Sequence, residues 1–308
     1  MPYLGEFAAL LTALCWLGSS LAFAVASREA GAQSLNQFRL FAALPLLCVA
    51  GWLVTGAIWP VDAPWPRIAA LAVSGAVGLV VGDWGYFHSL ATIGPRLASV
   101  IMALWPACTV ALDACVGKAP TPAQATGVGL TVVGVSMVLA RSRGGSWRPG
   151  LSRRQWTLGV AGALVGAFGQ AGGFVIARTA MAPADDLVGG VDPLLATIVR
   201  MSAAVVGVQV LVAMQRRPLA MSRVWGGRRA LVAAMVGTLC GPVFGVWMSM
   251  VAGAYAADAG VAAALMGTTP VFMLPLAIWL YGARVTRAGV IGTLLTVAGV
   301  AVCFAGGG

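Results

Sequence analysis

The chain has 308 residues, 60% of them hydrophobic and only 9% charged, with a mean hydropathy of +0.92. Soluble domains carry about 25% charged residues, so the composition excludes a secreted, cytosolic or disordered protein. The net charge is +10, but the 19 basic residues lie mostly between apolar runs, which excludes a nucleic-acid binder and marks one face of a membrane instead.

Ten apolar segments follow in chain order at 6–27, 37–58, 68–92, 96–117, 122–140, 156–178, 193–214, 230–256, 260–281 and 288–305. Each is long enough to cross roughly 30 Å of hydrocarbon. Each must be helical, because a span in lipid has to satisfy its own backbone hydrogen bonds. The runs do not alternate as barrel strands would. The predicted fold is therefore an all-α membrane protein with ten transmembrane helices, numbered here as spans 1 to 10. Span 1 is preceded by no Lys or Arg and carries Glu6, so it reads as a span and not as a cleaved signal. The connections 141–155 and 215–229 are Arg-rich, and 179–192 holds Asp185, Asp186 and Asp192.

The two halves repeat. Span 2 has Arg39-Leu-Phe-Ala42-Ala43 and span 7 has Arg200-Met-Ser-Ala203-Ala204. Span 3 has Gly82-Asp83-Trp84 and span 8 has Gly245-Val246-Trp247. Leu97-Ala98-Ser99-Val100-Ile101-Met102, then Pro106, in span 4 is answered by Val261-Ala262-Ala263-Ala264-Leu265-Met266, then Pro270, in span 9. Gly127-x-x-Leu130-Thr131-Val132-Val133-Gly134-Val135 in span 5 is answered by Gly292-x-x-Leu295-Thr296-Val297-Ala298-Gly299-Val300 in span 10. Spans 1 and 6 share Gly18 with Gly169 and Phe23 with Phe174. The matches are collinear. The first repeat is placed at 1–140, an Arg-rich linker at 141–155 and the second repeat at 156–308. Each repeat holds an odd number of spans, so the second enters the membrane inverted. Inverted repeats with a site at their interface characterise secondary transporters.

Polar residues inside the spans are few, and they are the candidates for a substrate cavity. Asp83 lies deep in span 3, where a carboxylate costs roughly 2.5–3.5 kcal/mol on insertion scales, so it must face protein or a wet cavity. Its roles are a substrate contact, a proton site or a structural ion pair with Arg39. Tyr86 lies near its face, and His88 on a neighbouring one. Trp105, Gln170, Trp247, Thr268 and Thr269 complete the candidate lining. Pro106 and Pro270 each remove a backbone donor and predict a helix kink. Arg39 and Arg200 open their predicted spans, where an ion pair or a headgroup contact are the two readings. Gly78-x-x-x-Gly82, Gly162-x-x-x-Gly166 and Gly169-x-x-x-Gly173 are small-residue stripes suited to close helix contact.

Other chemistry is poorly provided for. The six cysteines lie inside apolar stretches and form no CxxC pair, and the chain has one histidine and two glutamates. No metal site, cofactor or enzyme motif is expected. An intramembrane enzyme and a non-transporting scaffold are therefore weak readings. A flippase for a lipid or lipid-linked sugar on the same fold is the alternative to a transporter.

The stretch Gly82-Asp83-Trp84-Gly85-Tyr86-Phe87-His88-Ser89-Leu90, then Ile93-Gly94-Pro95-Arg96-x-Ala98 and Leu104-x-Pro106, resembles the EamA repeat of the drug/metabolite transporter superfamily. The Arg-x-x-Ala-Ala openings of spans 2 and 7 are similar to the same family. The resemblance covers the chain twice. It implies ten helices, no cofactor, and movement of a small metabolite or drug, usually outward; the candidate substrates are amino acids, amines and amphipathic drugs, with protons as a candidate coupling ion. Leu104-Trp105-Pro106 also resembles the YddG-type exporters of aromatic amino acids. Relatives often end spans 4 and 9 with Gly-Glu, where this chain has Gly117-Lys118 and Gly282-Ala283.

Connections after odd-numbered spans hold 14 basic residues, and those on the opposite face hold Arg67, Lys118 and Arg178. The positive-inside rule then puts the Arg-rich face in the cytoplasm of an inner-membrane protein, with both termini outside. The resemblance implies termini inside, as in many relatives.

Overall fold

A computed structural model of the protein describes residues 3–115, 119–140, 150–184, 190–216, 220–255, 265–281 and 286–305. All regular elements among them are helices. Eight are long and apolar enough to cross a membrane: Leu4–Ala30, Ala32–Thr55, Trp65–Thr92, Pro95–Leu112, Pro122–Ala140, Arg153–Met181, Pro193–Met214 and Arg228–Tyr255. These are spans 1 to 8. Span 9 is described as the helix Thr269–Tyr281 and span 10 as Arg287–Ala305. The start of predicted span 9 lies outside the described residues, as do Asp185, Asp186, Gly117, Lys118, Gly282, Ala283 and most of the Arg-rich linker.

Local sequence sets the ends. Span 6 begins on a capping box, with Ser152 accepting from the Gln155 N–H. Span 7 begins where the Asp192 carboxylate accepts from the N–H groups of Leu194 and Leu195, with Pro193 in the first turn. Spans 1 and 2 are joined by one residue, Gly31, at φ 89°, a conformation that a side chain would strain. Large apolar side chains such as Trp52, Leu53, Val206 and Val210 stay exposed on the outer surface, as a lipid-facing surface requires.

The repeats pack as an inverted pair. Spans 5 and 10 lie against each other, and a Cβ on Gly134 would meet the Gly292 carbonyl at 2.5 Å, while one on Gly292 would meet the Gly134 carbonyl at 2.7 Å. About two turns further along, Gly127 and Gly299 meet in the same reciprocal way. The early glycine of one span meets the late glycine of its counterpart, so the two equivalent helices run antiparallel. Spans 3 and 6 are joined by the predicted small-residue stripes: Gly82 packs on Gly169 and Gly78 on Gly173. Span 1 packs against span 8 in the corresponding arrangement. Each repeat thus lends a helix to the other.

Two pairs of irregularities respect the repeat. Ala76–Gly82 in span 3 and Leu239–Gly245 in span 8 are π-helical. Pro242 explains the second, since it lacks the N–H that an α-ladder needs. Span 4 breaks at Ala103 and Leu104, where the Leu104 N–H turns back to the Ile101 carbonyl; span 9 breaks at Gly267 and Thr268, where the Thr268 N–H turns back to Leu265. The positions where kinks are expected, Pro106 and Pro270, thus each follow a two-residue interruption of the helix. Each proline is the second residue of a new helix, Trp105–Cys115 or Thr269–Tyr281, where its missing N–H has no helical partner to lose.

Candidate functional site

The broken helices and the π segments surround one cavity at the seam between the repeats. It has about 740 Å³ of empty space including its open mouth. Spans 1, 2, 3, 4, 6, 8 and 9 line it, so both repeats contribute. Trp16, Ser19, Ser20 and Phe23 form one stripe of span 1, spaced as a helix face requires. Leu79, Asp83, Tyr86 and Phe87 form the matching stripe of span 3.

The polar centre is Arg39 with Asp83. Arg39 is 1% exposed, and its Nη2 lies 2.6 Å from Asp83 Oδ2. The same guanidinium donates to Asn36 Oδ1 and to the Leu79 carbonyl, and it sits 4.9 Å from the Phe87 ring centroid. Asn36 in turn donates to the Val80 carbonyl. Leu79 and Val80 belong to the π segment, whose widened turns leave carbonyls to accept these side chains. Neither arginine makes the headgroup contact considered from sequence: Arg39 and the 2% exposed Arg200 are both buried between helices.

Hydroxyls and aromatic rings make up the rest of the wall. The Tyr86 hydroxyl lies 2.8 Å from Ser20 Oγ and 3.3 Å from Ser99 Oγ, linking spans 1, 3 and 4. Trp105 packs edge-on against Trp16, with centroids 6.4 Å apart, and against Phe174 at 5.5 Å. The Thr269 hydroxyl donates to the Ala13 and Met266 carbonyls. Gln170 faces the cavity and makes no hydrogen bond among the described residues.

Of the residues singled out from sequence, Asp83, Tyr86, Trp105, Gln170, Thr269, Pro270 and Arg39 meet at this cavity. Five others lie outside its lining, Arg200 among them, buried between helices. His88, five residues past Asp83, is turned to another face, half-buried and stacked on the exposed Trp84. Trp247 follows the cavity residue Val246 and points away, into a cluster with Met201 and Val208. The Thr268 hydroxyl is spent on the Leu265 carbonyl inside the break. Pro106 is buried beside Trp105 without facing the space. Sequence reasoning missed Trp16, Ser19, Ser20 and Ser99, although the spacing of the first three along span 1 carried the signal.

The EamA-like transporter family matches residues 3–140 and 157–305, one copy on each repeat. The chain belongs to this family. As an EamA-like protein it is a multi-pass integral membrane transporter of the drug/metabolite transporter superfamily, a group of transporters and not of enzymes. A crystal structure similar in fold shares 21% identity with a TM-score of 0.64, over 97% of this chain and 94% of the other. No match was found among curated proteins.

Proposed function

We propose that the protein exports small amphipathic metabolites or drugs across the inner membrane by alternating access between its inverted repeats. The observation that carries this reading is the cavity at the seam, lined from both repeats and flanked by matched breaks in spans 4 and 9. Breaks that fall at equivalent places give each repeat a hinge facing the same space. Trp16, Trp105 and Tyr86 offer aromatic contact to the apolar part of a substrate, and Gln170 offers a free carboxamide. Asp83 is the carboxylate of the cavity wall, and so the group through which protons would couple to transport. The charge asymmetry supports Arg-rich connections in the cytoplasm. The family match lends the flippase alternative no support.

The test is efflux from proteoliposomes loaded with labelled amphipathic amines, amino acids and carboxylates. The reading expects saturable efflux of at least one, lost in Asp83→Asn and weakened in Trp105→Phe. Efflux no faster than from protein-free liposomes for every compound, or scrambling of a fluorescent lipid instead, would overturn it.

A further inference from the structure

We propose that Arg200 is an anion-binding element of the transport site, and that it receives the carboxylate of a small aromatic or apolar monocarboxylate. The inference deepens the transporter reading and rests on it.

The internal repeat supplies a template. In the first repeat Arg39 is held by Asn36, by Asp83 and by the ring of Phe87. The equivalent positions around Arg200 are Thr197, Val246 and Met250. The arginine is kept, and the carboxylate is replaced by valine. The placement is kept too: Arg39 lies over Phe87, and Arg200 Nη1 lies 2.9 Å from Sδ of Met250, the residue equivalent to Phe87.

Arg200 is 2% exposed, its Nε is buried with no hydrogen-bond partner, and a thioether sulfur is a weak acceptor. A guanidinium buried this way costs several kcal/mol unless a counter-charge meets it. Asp83 is paired with Arg39 and makes no salt bridge to Arg200. One carboxylate therefore stands against two buried guanidiniums, leaving one positive charge in excess.

The missing carboxylate has a place to go. Val246 stands where Asp83 stands in the other repeat and is part of the cavity lining, while Arg200 itself is buried and not part of it. Met250 is one turn beyond Val246, and Arg200 Nη2 lies 3.5 Å from where a Cβ on Gly78, next to the lining residue Leu79, would fall. A ligand carboxylate against Val246 would approach the buried Arg200 from the position that corresponds to Asp83, neutralising the excess charge. The ligand's apolar body would then lie along the aromatic walls. A monocation would meet the excess positive charge instead.

The experiment uses full-length protein in detergent and three matched probes: 3-phenylpropionate, its amide and 3-phenylpropylamine. A ligand of the folded state raises the melting temperature. The carboxylate should stabilise with an affinity at least tenfold above that of the amide or amine, and Arg200→Gln should abolish the effect. A second pair needs no ligand. Val246→Asp supplies the carboxylate from the chain, so it should melt at or above Val246→Asn and no longer respond to 3-phenylpropionate. Equal or stronger stabilisation by the amide or amine, abolished in Trp105→Phe, overturns the anion site while leaving the transporter reading standing. Val246→Asp melting well below Val246→Asn overturns it whatever the probes do. If Arg200→Gln does not fold, or no probe binds, the pair at 246 decides.

Discussion

Gly127 and Gly299 meet backbone to backbone across the repeats: a Cβ on Gly127 would fall 2.6 Å from the Gly299 carbonyl oxygen, and one on Gly299 would fall 2.7 Å from that of Gly127. Neither contact is with a flexible side chain, so spans 5 and 10 must separate to admit a methyl group. Gly299→Ala should therefore destabilise by about 1–3 kcal/mol, as overpacking does. Gly129→Ala, on the same span as Gly127 but with nothing within 4 Å, is the control and should melt as the wild type does. Neither span lines the cavity, so efflux per folded molecule should hold in both variants. Equal melting temperatures for the two variants would show that the close approach is not needed.

The Arg39–Asp83 pair makes a sharper demand. Removing Asp83 leaves the buried Arg39 charged and without its counter-ion, at a cost of about 3–5 kcal/mol. Asp83→Leu should lower the melting temperature strongly, because Arg39 keeps Asn36, the Leu79 carbonyl and the Phe87 ring but no counter-charge. Arg39→Met should also destabilise, but by less, because the carboxylate it leaves is part-exposed on the cavity wall. The double variant should be more stable than either single one, since neither member of this pair is left charged without the other. A double-mutant cycle on detergent melting reads the coupling. Simple additivity would mean that the pair does not act as a unit.

Much of this was legible in the sequence, and the reasons are physical. Span lengths and the internal duplication follow from hydropathy and collinear motifs, and the inversion follows from the odd number of spans. Asp83 was visible because a carboxylate deep in an apolar run must be met by something. What sequence could not give was the rotation of each helix. His88 and Trp247 looked equivalent in promise to Tyr86 and Trp105, yet one or two residues of offset turn them out of the cavity. The π segments changed that offset further, because they shift the helical phase before Asp83 and before Val246. The prolines signalled a disturbance, but whether it bends or breaks a helix depends on the turn before it, and Ala103 and Leu104 carry no distinctive signal.

His88 tests that geometry directly. It is the chain's one histidine, so any residue-type argument marks it as a proton carrier. Its ring stacks on Trp84 with centroids 6.4 Å apart, on a face away from the cavity. His88→Ala should leave the efflux rate and its pH profile within about twofold of wild type, and lower stability by well under the roughly 3–5 kcal/mol of a buried aromatic truncation. A lost or displaced pH profile would place the histidine on the proton path and contradict the cavity as drawn.

The Tyr86 hydroxyl ties together three helices that border the cavity. It lies 2.8 Å from Ser20 on span 1 and 3.3 Å from Ser99 on span 4. A satisfied bond of this kind contributes about 0.5–1.5 kcal/mol net, while stranding a buried partner costs about 1–3 kcal/mol. Tyr86→Phe should therefore lower the melting temperature modestly, with the ring still packed beside Phe87. Ser20→Ala removes the shorter bond but leaves Tyr86 its contact with Ser99, so it should cost less. Adding Ser20→Ala to Tyr86→Phe removes a group that has already lost this partner, so the double variant should be little worse than Tyr86→Phe alone. The same bridge joins span 4 just before its break to span 1, so loosening it should alter the efflux rate more than the stability change alone accounts for. Three melting curves and three efflux rates, normalised to folded protein, decide both points: additive losses rule out the shared bond, and unchanged efflux rules out a part for it in moving the hinge.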